Sequence, residues 1–163
     1  MASVVLFKDY DDQYCAAFEA LGCQAHFVEL LSFEFIHQSE LHDKLSHPER
    51  YSGMVVTSKR GFEALKPFYN LLEMWRTMPV YCVGQRCGEA GRALGLNTCG
   101  EECGQGAVLA HYILDHHTDR SLGLLYLCAE EHRPELSAGL AGQIPLDILH
   151  VYRTHPLAPH EVL

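Results

Sequence analysis

Three times between residues 53 and 141, an apolar stretch of strand length runs through a turn into a segment with helical spacing. Residues 53–57 lead to a helix at 60–72, 80–83 to a helix at 86–94, and 122–128 to a helix at 134–141. A strand that is followed by a helix returns to the sheet in the same direction, so this alternation requires a parallel sheet. It assigns the chain to the α/β class, with a parallel sheet flanked by helices. Residues 98–106 predict a loop containing glycine and cysteine that leads into a helix at 107–116, and 144–151 predict a final strand.

Ahead of this repeat, residues 3–8 predict a buried strand, 13–21 a helix stopped by Gly22, and 24–30 a second strand. Residues 31–38 (LSFEFIHQ) then alternate apolar and polar side chains without a turn signal. They predict an extended connection leaving the first β-α-β unit, with a domain crossing near residue 35.

Ligands of open parallel sheets bind outside the carboxyl ends of the strands, where helix N-termini offer free N–H groups. Three predicted loops meet that condition: Thr57, Ser58, Lys59 and Arg60; Gly84, Gln85, Arg86 and Cys87; and the AEEHR segment from Ala129 to Arg133. The hydroxyls of Thr57 and Ser58 suit both helix capping and anion binding. Lys59, Arg60 and Arg133 are cations that can pair with carboxylates.

With 163 residues, 48% of them hydrophobic and 20% charged, the chain can bury the core of one ordinary domain, or of one domain plus an appendage. No apolar run approaches the roughly 20 residues of a membrane span. The net charge of -9 opposes binding to a nucleic-acid backbone. Seven cysteines, an odd number without a signal-like leader, predict free thiols and a cytosolic protein. Cys99, Cys103, His111, His116 and His117 lack the two matched ligand pairs of a structural zinc site, so no metal is predicted there. Asp9, Asp11 and Asp12 predict a solvated acidic loop, because Thr57 and Ser58 occupy the strand end where a phosphoreceiver domain needs aspartate.

LSFEF at 31–35, KLSHPERYSGMVVTS at 44–58, PVYCVG at 79–84, GLNT at 95–98 and VYRT at 151–154 occur in an order and spacing that resemble the animal uroporphyrinogen-III synthases. The similarity covers nearly the whole chain. It implies two α/β domains joined by two extended connections, with residues 1–34 the first unit of a split domain, 35–150 a complete inserted domain, and 151–163 a connecting strand and truncated return. The implied reaction converts hydroxymethylbilane to uroporphyrinogen III: water is lost, the last pyrrole inverts, and the macrocycle closes.

The resemblance implies a small-molecule substrate, no metal or organic cofactor, and a monomer. Tyr152 matches the family tyrosine thought to help the hydroxyl depart, by proton donation or by hydrogen bonding. Substrate contacts are implied for Thr57, Ser58, Lys59, Arg60, Gly84, Gln85, Arg86, Cys87, Ala129 and Arg133. The family frequently has threonine or serine where this chain has Cys87. The competing expectation is a truncated form that folds and catalyses nothing.

Overall fold

Strand β4 (Tyr51–Val56) is apolar on both faces, a pattern that suits a strand covered by helices above and below. The computed structural model describes residues 2–6, 11–27 and 31–156, and there Met54, Val55 and Val56 are fully buried. Strands β5 (Pro79–Cys82) and β7 (Gly123–Ala129) flank β4, both parallel to it, with Met54 opposite Val80 on one edge and Leu125 on the other. Strand β6 (Asn97–Cys99) lies outside β5, and β8 (Leu146–Pro156) lies outside β7, again in parallel. The order β8-β7-β4-β5-β6 starts at the centre, builds outward on one side, and then crosses to the other.

That crossing places helices on both faces. Helices α2 (Gln38–Leu45), α3 (Lys59–Glu63) and α4 (Gln85–Ala93) share a core with Met54, Val56, Val80, Leu125 and Leu127. Helices α5 (Gly106–His116) and α6 (Glu135–Leu140) pack with Val55, Tyr81, Leu124 and Tyr126. Trp75 is fully buried in the first core and donates its indole N–H to Leu45 O at 3.0 Å. Gly53 permits a close strand approach, since a Cβ there would stand 2.7 Å from Pro79 O.

The chain divides into two compact units, residues 1–34 with 154–163, and residues 35–153. In the first, β1 (Ala2–Leu6) pairs in parallel with β2 (Cys23–Phe27) around α1 (Asp12–Ala20). The Asp11 carboxylate caps α1 by accepting the Gln13 N–H at 2.9 Å. Strand β3 (Leu31–Phe35) adjoins β8, and these two strands carry the chain between the units. Asp9 and the predicted strand ends at 7–8 and 28–30 lie outside the described residues.

Three elements differ from the sequence pattern. The helix expected over 60–72 stops at Glu63 and gives way to a 3-10 segment at Lys66–Leu71. Pro67 disfavours α geometry at Lys66 and supplies no N–H, which ends the α-helix early. The expected loop at 98–106 overlaps β6, a three-residue edge strand too short to show periodicity. Helix α2 was not expected: among its eight residues only Leu41 and Leu45 are apolar and buried, a one-turn signal. No helix among the described residues is long and apolar enough to cross a membrane.

His117, just beyond α5, is 5% exposed and braces two strands. Its Nε2 is 2.8 Å from Ser52 Oγ and its Nδ1 is 2.9 Å from Tyr81 Oη. Burial holds the imidazole below its ordinary 6.5. As pH falls through 6.5 the unfolded chain therefore takes up this proton first, and stability is lost down to the folded-state value. Urea unfolding from neutral into mildly acidic pH should show wild type losing stability faster than His117→Gln; parallel pH profiles would contradict this.

Candidate functional site

After β4 the chain turns toward β5, and only after β6 does it cross to β7. The loops at the carboxyl ends of β4 and β7 consequently diverge, and the crevice between them is where open α/β sheets bind ligands. A cleft of about 310 Å³ opens there, lined by Thr57 and Ser58 after β4, Val83 after β5, Ala129 at the end of β7, and Tyr152 on β8. Glu131, His132 and Arg133 form one wall, and Gly104, Gln105 and Gly106, at the start of α5, form another. Tyr126, Glu135 and Leu136 complete it.

Tyr152 reaches the cleft through an irregularity in β8. Cys128 pairs with His150, but the next residue, Ala129, pairs with Tyr152, so Val151 is one extra residue in the ladder. Strict alternation would put Tyr152 on the same face as His150. With the bulge, Val151 and Tyr152 both join the core of the opposite face. Glu130 N–H donates to Tyr152 O at 2.9 Å, tying the loop after β7 to the bulged strand.

Two hydroxyl pairs result. Tyr152 Oη lies 2.9 Å from Ser58 Oγ, which also caps α3 by accepting the Gly61 N–H at 3.2 Å. Tyr126 Oη lies 3.4 Å from Thr57 Oγ1, and burial pushes the Tyr126 phenol above its ordinary value, so it stays protonated. Around these donors stand one cation, Arg133, the carboxylates of Glu131 and Glu135, and the first-turn N–H groups of α5, whose N-cap Gln105 makes no side-chain cap. The arrangement can hold a carboxylate with Arg133 and backbone amides while a phenol donates a proton.

Of the residues expected at a site, Thr57, Ser58, Ala129, Arg133 and Tyr152 meet in this cleft. Lys59, Arg60, Gly84, Gln85, Arg86 and Cys87 do not line it. Gly84, at φ +84°, turns the chain into α4 and leaves Gln85 and Arg86 exposed. Cys87 is 5% exposed and donates its thiol to Val56 O at 3.4 Å, inside the first core. His132 was anticipated only as part of the AEEHR loop, and Tyr126 and Gln105 were not foreseen. Tyr126 is hidden in the apolar run of β7, and Gln105 carries no charge or motif to mark it.

The histidines and cysteines weighed as a zinc cluster are dispersed. His116 stacks on Tyr112 at 4.0 Å between ring centroids, His117 braces β4 and β5, and Cys99 donates to Val80 O at 3.8 Å.

The family model for uroporphyrinogen-III synthase HemD matches residues 12–162. The chain belongs to the uroporphyrinogen-III synthase family. Uroporphyrinogen-III synthase of Schizosaccharomyces pombe is 33% identical over 156 residues, which cover 90% of this chain and 62% of the relative. The uroporphyrinogen-III synthetase structure from Helicobacter pylori superposes with a TM-score of 0.63 at 18% identity, covering 98% of this chain and 65% of that one. A mutant uroporphyrinogen III synthase structure from Thermus thermophilus gives 0.61 at 16% identity, covering 100% and 66%. This member of the synthase family thus spans somewhat less than two thirds of these relatives, and the α/β fold with its parallel sheet is common to them.

Ser58→Ala removes both a helix cap and the partner of Tyr152. In a double-mutant cycle with Tyr152→Phe, urea unfolding should give a coupling of about 0.5–1.5 kcal/mol, the net worth of one hydrogen bond. Strict additivity would mean that the two hydroxyls do not interact.

Proposed function

We propose that this chain acts as a uroporphyrinogen-III synthase, a cyclising lyase of tetrapyrrole biosynthesis that converts hydroxymethylbilane to uroporphyrinogen III. The observation that carries this is the Ser58–Tyr152 hydroxyl pair at the switch-point cleft, in a chain of this family. The pyrroles of the substrate are electron-rich and expel the terminal hydroxyl once a donor assists. Tyr152 supplies that donor, and the hydrogen bond with Ser58 holds its phenol oxygen in place. Inversion and closure then need orientation more than further chemistry, which the walls of the cleft provide.

A volume of about 310 Å³ lies at the small end of ligand pockets, which run from about 300 to 1,000 Å³. It therefore takes the hydroxymethyl-bearing end of a linear tetrapyrrole, with a side-chain carboxylate on Arg133 and the start of α5, and leaves the remaining rings outside. Residues 1–34 and 154–163 fit a second domain that the chain enters twice, 35–153 being the inserted one. The working form is a monomer in the cytosol and requires no organic cofactor for ring closure.

Freshly prepared hydroxymethylbilane given to the purified chain should yield type III uroporphyrinogen in excess of type I, the isomer of unassisted closure. Tyr152→Phe should lower the rate of type III formation by about 100-fold, the low end of general acid catalysis. Type I alone from the wild-type chain would refute the synthase activity. A Tyr152→Phe rate within about twofold of wild type would instead remove the phenol from the chemistry while leaving the activity intact.

A further inference from the structure

Cys128 and His150, on the face of the sheet opposite Tyr152, converge with His132, which also lines the cleft, to bring three metal-binding side chains together. Cys128 and His150 are directly paired in the ladder between β7 and β8, so their side chains stand side by side. His132 returns from the loop after β7, four positions beyond Cys128, and its ring centroid lies 5.3 Å from that of His150. One ligand atom from each of the three residues lies within 4.8 Å of the others, the only such group of histidine, cysteine or acidic side chains among the described residues.

The imidazoles give the second, independent observation. His132 Nδ1 and His150 Nε2 are both buried and have no hydrogen-bond partner among the described residues. Two polar atoms left unsatisfied near one thiol call for an explanation, because buried polar groups in folded proteins nearly always have a partner. A bound cation accepts a lone pair from each.

We propose that Cys128, His132 and His150 bind a borderline-soft divalent metal ion of the zinc class. A thiol and two imidazoles form a nitrogen and sulfur donor set, which disfavours magnesium and calcium. The spacing between Cys128 and His132 falls within the range of paired zinc ligands, and the sheet register brings in the third ligand. Burial pushes the Cys128 thiol up to about 12, and coordination displaces that proton. With three protein ligands, the fourth position is left to water or to an exogenous donor, as in open zinc sites.

Bond lengths of a tetrahedral site set ligand separations of about 3.5 Å, so atoms as far apart as 4.8 Å must close. Cys128 and His150 are held by paired strands, which leaves His132 as the ligand that moves. Metal binding therefore restrains the loop that also presents Glu131 and Arg133 to the cleft. None of this depends on the reaction assigned to the cleft, and its test needs no substrate.

Titration of the reduced full chain with cobalt(II), followed by displacement with zinc(II), tests the site directly. One equivalent should bind and produce a thiolate-to-metal charge-transfer band together with the visible bands of tetrahedral cobalt. Loss of outer-sphere partners alone weakens metal sites about 10- to 100-fold, so His132→Gln and His150→Gln should each weaken binding by at least that much. Cys128→Ser should abolish the charge-transfer band. His116→Gln, remote from the cluster, should change nothing. Since His132 lies in a loop, its variant should fold, and circular dichroism would verify this. Undiminished affinity in both histidine variants, a charge-transfer band surviving in Cys128→Ser, or wild-type binding no tighter than that of free histidine would overturn the site. Amide exchange across 131–133 should slow when zinc binds; unchanged exchange would overturn the restraint on the loop.

Discussion

Hydrogen bonding of β4 on both edges is the constraint from which the arrangement of residues 35–153 follows. A strand with neighbours on both sides and apolar residues on both faces leaves its helices nowhere to go but above and below the sheet. Starting the sheet at its centre then obliges the chain to build outward in one direction and later cross to the other. The crossing separates the loops that follow β4 and β7, and so a crevice forms at their carboxyl ends as a by-product of topology. The cleft therefore inherits rigidity from the most buried part of the sheet, although the residues that line it come from loops and strand ends.

A second constraint acts within β8. One extra residue between His150 and Tyr152 changes which face the tyrosine occupies. Without it, two side chains separated by two positions would share a face, and the phenol would lie with Cys128 and His150. The bulge instead directs Tyr152 toward Ser58, whose hydroxyl is already positioned by capping α3. Ser58 thus serves both the fold and the cleft, which couples the start of a short helix to the orientation of a candidate proton donor.

The alternation of strands and helices was legible because each strand is a short apolar run ended by a turn and followed by helical spacing, a pattern set locally. The bounds of α3 were less so: Phe62 and Leu65 continue helical spacing, while the backbone effect of Pro67 overrides it. At the site, Thr57, Ser58, Ala129 and Arg133 could be anticipated from their places after strands. Cys87 could not be placed, since a helix presents successive residues to different sides and only tertiary packing decides which side is buried. Tyr126 reads as one more apolar core residue, and its hydroxyl acquires meaning only when Thr57 is brought to 3.4 Å across the sheet. Tyr152 was named by resemblance, whereas the face it occupies depends on a bulge that alternation does not encode.

Cys128, His132 and His150 lie beyond any local pattern, because the pair that anchors them is set by ladder register between strands that a helix separates. Their position makes the segment after β7 answer to two demands. Glu130 N–H holds one end of it to Tyr152, and His132, in the cleft wall, sets its ring beside the half-buried His150 imidazole and near the buried Cys128 thiol. Glu131 and Arg133, on either side of His132, line the cleft together with it. Any force that draws His132 toward Cys128 and His150 must therefore be transmitted to the two charged residues beside it. The loop, more than the sheet, is where occupancy of one face can be felt on the other, since the paired strands on both sides of it leave no comparable freedom.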